Sequence, residues 1–94
     1  MFKLYKISGS SMQPALKDGD YVLAVKQPRF IKPSVGAVYG FNHDSLGLIV
    51  KRLASFDKNI LKFKGDNKES LSSEEIGEFK WSQKKTLYRI IFRV

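Results

Sequence analysis

Two short stretches of the chain hold residues that could carry out covalent chemistry. The first is residues 9–14, Gly-Ser-Ser-Met-Gln-Pro, where Ser10 and Ser11 lie between a glycine and Pro14. Glycine permits a tight turn and proline fixes the chain beyond it, so a serine hydroxyl here is accessible and oriented. Serine is a weak nucleophile until a base takes its proton, and Ser8, Ser10 and Ser11 all remain candidates at this point.

The second stretch is Lys51-Arg52, in a run of alternating apolar residues. A strand over residues 46–55 places Ile49, Lys51 and Leu53 on one face. Burial there disfavours the ammonium form and lowers the pKa of the lysine. To act as a base at neutral pH, the amine needs a shift of about 3 units, which costs roughly 4 kcal/mol. Lysines also extend out of apolar surroundings to solvent, so the strand pattern alone leaves both interpretations open.

Other catalytic arrangements find less support. His43 and Asp44 could complete a triad with Ser11, but adjacent residues on a turn point apart, and we expect an exposed turn histidine. One histidine, no cysteine and scattered carboxylates argue against a metal site and against a disulfide framework. We predict no metal and no cofactor.

The charge and aromatic patterns allow several kinds of partner. A net charge of +8 suits nucleic acid, an anionic membrane or an acidic protein, but the lysines are spread along the chain, which favours a solvated basic surface. Alternating aromatic and basic residues could stack single-stranded nucleic acid, although the same spacing is what a core requires. These residues are Phe79, Lys80, Trp81, Tyr88 and Arg89.

The spacing of apolar residues and turn signals predicts a mainly β fold. At 94 residues we expect a single domain, residues 1–94, with a modest core. It should be a compact, barrel-like or rolled sheet of six or seven short strands with little helix. The predicted strands are residues 2–8, 21–25, 35–41, 46–55, 60–64, 76–82 and 86–94. The last of these alternates Tyr88, Ile90 and Phe92 against arginines, and could be a sheet edge that accepts a partner strand.

The beginning of the chain bears on its location. Residues 1–7 alternate apolar and polar side chains and include two lysines, so they do not form the apolar core of a secretory signal. No stretch approaches the roughly 18 apolar residues of a membrane span. We therefore expect a cytoplasmic protein without an integral membrane anchor, with peripheral attachment to a membrane left open.

Five sequence pieces, in this order, resemble the serine-lysine peptidases related to bacterial type I signal peptidases. The self-cleaving domains of SOS-type repressors are similar through Ser-Met and Val-Lys-Arg. The pieces cover most of the chain, and the Gly-Asp-Asn segment favours the signal-peptidase side. They are Gly9-Ser10-Ser11-Met12-Gln13-Pro14-Ala15-Leu16, Asp18-Gly19-Asp20-Tyr21-Val22-Leu23, Gly36-Ala37-Val38, Val50-Lys51-Arg52-Leu53, and Gly65-Asp66-Asn67 continuing through Ser70 to Gly77.

The resemblance implies a role for each residue of the first and fourth pieces. Ser11, directly before methionine, would be the nucleophile and Lys51 the general base. The backbone N–H of Ser11 would bind the developing oxyanion, with Ser10 a candidate second donor. Gly9, Met12 and Pro14 would contribute to substrate binding. The substrate would be an extended peptide with small apolar residues before the scissile bond.

Departures from the family pattern narrow the expected function. The segment after Gly-Asp-Asn reads Leu71-Ser72-Ser73-Glu74 and lacks the usual aspartate and arginine, which bears on the support of Lys51. The membrane anchor and the large insertion of signal peptidases are missing, and ten residues before Ser11 leave no room for a repressor's DNA-binding domain. We expect a minimal maturation-type endopeptidase acting in trans. The rival hypothesis is a non-catalytic binding module that retains a peptidase fold.

Overall fold

A computed structural model describes residues 2–9, 12–28, 30–43, 47–67, 79–81 and 86–94. The described chain forms seven β-strands and contains no helix among its assigned elements. Accordingly, no helix in these ranges is long and apolar enough to cross a membrane. The strands are β1 (Phe2–Lys6), β2 (Tyr21–Lys26), β3 (Val38–His43), β4 (Gly47–Asp57), β5 (Ile60–Lys64), β6 (Phe79–Lys80) and β7 (Tyr88–Arg93).

All seven strands join in one antiparallel sheet with the order β1-β2-β7-β3-β4-β5-β6. The predicted mainly β fold of six or seven strands is confirmed. The predicted strands 46–55 and 60–64 are confirmed and form the β4–β5 hairpin, with Lys58 and Asn59 at positive φ angles of 50° and 65° in its turn. The third predicted strand begins later than expected, at Val38, because residues before it form the turn in which Gly36 adopts a φ of +95°.

The prediction that the last strand is a sheet edge is wrong. β7 lies inside the sheet, paired with β2 on one side and with β3 through Tyr39↔Arg89 and Gly40↔Tyr88 on the other. The terminal strands of the sheet are β1 and β6. Strand order depends on contacts between distant segments, which the local alternation in residues 86–94 does not encode.

The alternation expected along β7 is also interrupted. Leu23 pairs with Phe92 and Ala24 pairs with Ile90, so Ile91 is an extra residue, a β-bulge. Ile90 therefore shares a face with buried Ala24, whereas Phe92 lies on the opposite face and is 54% exposed. The bulge turns the last part of β7 over, and Tyr88, Ile90 and Phe92 do not share one face as predicted.

The two faces of the central strands cover two apolar clusters. The first, here the β3–β5 cluster, consists of Tyr39, Phe41, Ile49, Leu53, Leu61, Phe63 and Leu87. The second, the β1–β2 cluster, consists of Tyr5, Ile7, Met12, Leu16, Val22 and Ala24, with Val38 and Val50 packed against it. Adjacent residues of a strand point to opposite faces, so β3 and β4 contribute to both clusters.

The sheet must curl for its first strand to meet the fourth strand in the sheet order. Tyr5 of β1 packs directly on Gly40 of β3, although β2 and β7 separate these strands in the sheet. A Cβ atom at Gly40 would lie 3.0 Å from the Tyr5 ring. Only glycine leaves room for this approach, which brings β1 against β3, the neighbour of the strand that carries Lys51.

Candidate active site

Lys51 lies in the middle of β4 with its side chain buried in apolar surroundings. It is 4% exposed, between Ile49 at 7% and Leu53 at 1%. Tyr39, directly opposite on β3, is fully buried. Desolvation by these neighbours lowers the pKa of the Lys51 amine. The predicted placement of Lys51 on one face with Ile49 and Leu53 is confirmed, and its burial, which the sequence left open, favours the neutral amine that a base requires.

Arg52 projects from the other face of β4 and ties the strand to two loops. Its Nε and Nη2 donate hydrogen bonds of 2.8 Å each to the two carboxylate oxygens of Asp66. Its Nη1 donates a third, of 2.6 Å, to the carbonyl of Gly36. The hydrogen bond from Arg52 is the main reason that the pKa of the Asp66 carboxyl is lowered. Arg52 thus holds β4 to the Asp66 turn and to the Gly36 loop at the position directly after Lys51.

Sequence reasoning did not find the Arg52–Asp66 pair, although both residues belong to the pieces that carried the resemblance. The signal was present as an arginine beside the candidate base and an aspartate in a glycine-led turn. A bidentate arginine–carboxylate pair gives a physical reason why the Lys-Arg and Gly-Asp-Asn pieces occur together. Within the described residues, this pair joins β4 to the turn that contains Asp66.

The loop before β3 is fastened to the end of β4 that follows Lys51. The N–H of Gly36 donates to the carbonyl of Leu53 at 2.9 Å, and the N–H of Leu53 donates to Ala37 at the same distance. The buried Tyr39 hydroxyl accepts a 2.8 Å hydrogen bond from the Ser34 N–H. Tyr39 therefore faces Lys51 with its ring while its hydroxyl holds this loop.

Residues 9–14, which hold the two serines and are here called the serine turn, are preceded by a segment that Asp18-Gly19-Asp20 holds in place. The N–H of Ile7 donates to the carbonyl of Asp20 at 2.7 Å, and the N–H of Gly19 donates back to Ile7 at 2.8 Å. Gly9 adopts a φ of +86°, a conformation that favours glycine, and its N–H donates to Asp18 Oδ1 at 2.8 Å. Residues 18–20 belong to the second piece of the family resemblance, but their role in supporting the segment with the two serines was not predicted.

Beyond the two serines, Met12 anchors the chain. It is 1% exposed and belongs to the β1–β2 cluster. The N–H of Leu16 donates to the Met12 carbonyl at 2.8 Å, closing a single helical turn. Pro14 is exposed and follows a cis peptide bond. The buried position of Met12 gives its side chain a packing role, and a contact of Gly9, Met12 or Pro14 with substrate stays a prediction.

Several predicted residues lie outside the described part of the chain. They include Ser10 and Ser11, and also Asp44 and the segment 71–74. His43 was expected on a turn, but its backbone forms the last residue of β3, which extends beyond the predicted end at residue 41. The structure therefore describes Lys51 and the residues flanking the serines, Gly9 and Met12. The roles of Ser11 and Ser10, and the distance between Ser11 Oγ and Lys51 Nζ, stay predictions.

Two of the aromatic residues weighed for nucleic-acid binding, Trp81 and Tyr88, belong to the packing of the two clusters. Trp81 packs against the β3–β5 cluster and Tyr88 against the β1–β2 cluster. Tyr88 also meets Tyr5 edge to face, with ring centroids 6.0 Å apart. Rings held in this way do not present the free faces on which bases stack, which favours the core interpretation of these two residues.

A comparison with family models agrees with this geometry. The model described as Peptidase S24-like matches residues 2–87, nearly the whole chain. The chain belongs to the Peptidase S24-like family. The predicted membership of the serine-lysine peptidase superfamily is thus confirmed, and the match includes the serine turn, Lys51-Arg52 and Asp66. No curated protein matches the chain closely enough to count as a relative.

Proposed function

We propose that this peptidase-related domain is an active serine endopeptidase, with Ser11 as the nucleophile and Lys51 as the general base. The observation that carries the proposal is the burial of Lys51 among Tyr39, Ile49 and Leu53, which lowers the pKa of its amine. Burying a lysine inside a strand destabilises the fold, because the charged amine must be desolvated, so its presence here favours a functional role. Membership of the S24-like family, together with the position of Ser11 directly before Met12, supports Ser11 as the nucleophile.

The chemistry follows from a neutral amine and a serine hydroxyl. As Ser11 Oγ bonds to the carbonyl carbon of the scissile peptide, Lys51 Nζ accepts the hydroxyl proton. Lys51 then gives that proton to the departing amine as the C–N bond breaks, leaving the acyl group on Ser11. Water attacks the ester with Lys51 again taking a proton, and this releases the acid and restores the serine.

The serine turn would also stabilise the negative charge that develops on the carbonyl oxygen. The backbone N–H of Ser11 is the first donor of the proposed oxyanion hole and Ser10 the candidate second donor. Gly9 on one side is fixed by Asp18, and Met12 on the other side by the β1–β2 cluster. Anchors on both sides of the two serines favour the preorganised turn that this role needs.

β1 is the strand best suited to hold an extended substrate. It is a terminal strand of the sheet, so its outer edge can pair with an added strand. The chain passes from β1 through Ile7 and Gly9 towards Ser11. A substrate paired with β1 would run alongside the residues that lead to the nucleophile. We propose a propeptide or similar segment of another protein, cleaved in trans after small apolar residues.

Cleavage profiling tests the proposal on many candidate substrate sequences at once. The protein is incubated with a complex peptide library, and new termini are identified by mass spectrometry. Ser11→Ala and Lys51→Met should each abolish the cleavages made by the parent protein. The exposed residues Ser8 and Lys62 offer matched controls, since Ser8→Ala and Lys62→Met should leave the cleavages unchanged.

The rival function, a non-catalytic binding module, makes the opposite prediction. If folded Ser11→Ala and Lys51→Met proteins yield the same products as the parent protein, or if the parent yields none, catalysis by this pair is refuted. Circular dichroism of each variant establishes that it is folded.

A further inference from the structure

The outer face of strands β1, β2 and β7 carries a continuous set of exposed apolar side chains. Across the three strands, Leu4 pairs with Leu23, which pairs with Phe92. Leu4 is 58% exposed and Phe92 54%. Phe2, at the end of β1, is 67% exposed and pairs with Val25. Side chains directly opposite in antiparallel strands touch, so these residues form one patch, here called the outer patch.

The outer patch continues towards the other end of the strands. Tyr21 is 46% exposed, and the N–H of Val94 donates to the Tyr21 carbonyl at 2.8 Å. Val94 is itself 74% exposed. Isolated exposed apolar residues are ordinary, whereas a contiguous set on three neighbouring strands marks an interaction surface.

The charge of these strands is entirely positive. β1, β2 and β7 contain no aspartate or glutamate, and their five cations are Lys3, Lys6, Lys26, Arg89 and Arg93. Arg89 pairs with Val25 and Lys6 with Tyr21, so these two border the outer patch on its own face. The Arg93 guanidinium lies 3.6 Å from the carboxylate of Asp20, a residue that precedes β2. The partner of this surface must therefore offer apolar groups together with negative charge.

A cleft adjoins the outer patch at the end of β2. It has a volume of about 420 Å³ and is lined by Val25 and Ile91 of the strands and by Ile31 of the following loop. Lys26 and Arg89 also line it. Phe30, beside Ile31 in the sequence, is 89% exposed. The cleft therefore combines apolar walls with two cations, as the outer patch does.

We propose that the outer patch and its cleft bind the surface of an anionic lipid membrane. Aromatic and aliphatic side chains enter the boundary between headgroups and acyl chains, while lysine and arginine meet the lipid phosphates. A second copy of this chain is disfavoured because it would bring its own Lys6 and Arg89 to a face that carries the same two cations and no carboxylate on its three strands. The exposed side chains lie side by side on three strands, an arrangement that suits a broad planar partner. An acidic polypeptide would need a separate complementary contact for each of these side chains.

Vesicle flotation at low ionic strength tests this inference on the full chain. The protein should float with vesicles rich in phosphatidylserine and remain behind with purely zwitterionic vesicles. Leu4→Ser and Phe92→Ser should each weaken binding about tenfold, because an apolar side chain no longer leaves water. Lys6→Gln and Arg89→Gln should each weaken it about fivefold. Added salt should weaken binding of the parent protein.

Matched controls separate the outer patch from general surface properties. Val35 is exposed and apolar but lies outside the three strands, and Lys62 is an exposed cation of β5, so Val35→Ser and Lys62→Gln should bind like the parent protein. Ser11→Ala should also bind normally, because the surface acts independently of the proposed catalysis. Phe92→Trp should keep the affinity and show a blue-shifted fluorescence from the added indole on anionic vesicles.

Three results would overturn the proposal. The first is no flotation with anionic vesicles, including the case in which polyglutamate binds the protein instead. The second is flotation that falls as much for Val35→Ser and Lys62→Gln as for the patch variants, since bulk charge would then explain it. The third is a concentration-dependent dimer that Phe92→Ser abolishes while vesicle binding is absent, which would assign the face to a second copy.

Discussion

The Arg52–Asp66 pair offers a sharp test of how β4 is held beside Lys51. Replacing Asp66 by Asn keeps the shape of the side chain but removes its charge and one of its acceptors. Arg52 would then retain its bond to the Gly36 carbonyl but lose the paired 2.8 Å bonds to a carboxylate. The turn that carries Asp66 and the strand that carries Lys51 would be joined less tightly.

The burial of the pair sets the size of the effect. Exposed ion pairs contribute up to about 1 kcal/mol, whereas removing one partner of a fully buried pair costs about 3–5 kcal/mol. The Arg52 and Asp66 side chains are 31% and 16% exposed, between these limits. We therefore expect Asp66→Asn to lower the free energy of unfolding by about 2 kcal/mol at neutral pH.

The pH dependence has a defined sign. The folded protein lowers the pKa of Asp66, so its stabilising contribution is complete above the ordinary carboxyl value and disappears as pH falls through the lowered value. The difference between the parent protein and Asp66→Asn should therefore shrink in acid. Urea unfolding of the two proteins, of Arg52→Gln and of the double variant measures the coupling.

Asp57 provides the control because it is an exposed carboxylate at the end of β4. Asp57→Asn should change the unfolding free energy by less than about 0.5 kcal/mol. A coupling between Arg52 and Asp66 below about 0.5 kcal/mol, or a difference that grows in acid, would refute the reasoning.

Three further substitutions test the packing around the site. Lys51→Met should stabilise the protein most at pH values below the lowered pKa of Lys51, and the gain should shrink as pH rises towards the ordinary lysine value, by urea unfolding. Met12→Ala should cost about 2–5 kcal/mol in the same assay, because Met12 is 1% exposed. Gly40→Ala should destabilise the fold and reduce peptide cleavage, because its Cβ would meet the Tyr5 ring at 3.0 Å.

Each of these has a clear contrary result. A gain for Lys51→Met that is constant with pH would mean that burial does not shift its titration. Unchanged stability for Met12→Ala would remove the anchor of the serine turn. Unchanged stability for Gly40→Ala, or a loss that is no smaller when Tyr5→Leu is added, would mean that the substitution does not act through the Tyr5 ring.

Local patterns placed Lys51 on the correct face because the alternation within its own strand decides that face. The alternation of Ile49, Lys51 and Leu53 places all three on one face, and all three are buried. The hairpin after β4 was equally readable, because its turn and both strands are contiguous in the sequence. Both features are set by one strand or by two strands that adjoin in the sequence, which a local pattern can encode.

Contacts between distant segments were beyond local patterns. The insertion of β7 between β2 and β3, and the bulge at Ile91 that separates Ile90 from Phe92, depend on how remote strands align. The Arg52–Asp66 pair is a further case, because the residues next to each partner in the sequence do not indicate that the two side chains meet. The same holds for the packing of Tyr5 on Gly40, which joins segments far apart in the sequence.

The most direct test of the proposed catalytic pair is the labelling of Ser11 by a fluorophosphonate, measured by mass spectrometry across a range of pH. We predict an adduct on Ser11 alone, formed at a rate that rises with pH through a midpoint below the ordinary lysine pKa and that collapses in Lys51→Met. An adduct on Ser8 or Ser10, or labelling of Ser11 that is unchanged by Lys51→Met, would contradict the serine-lysine mechanism.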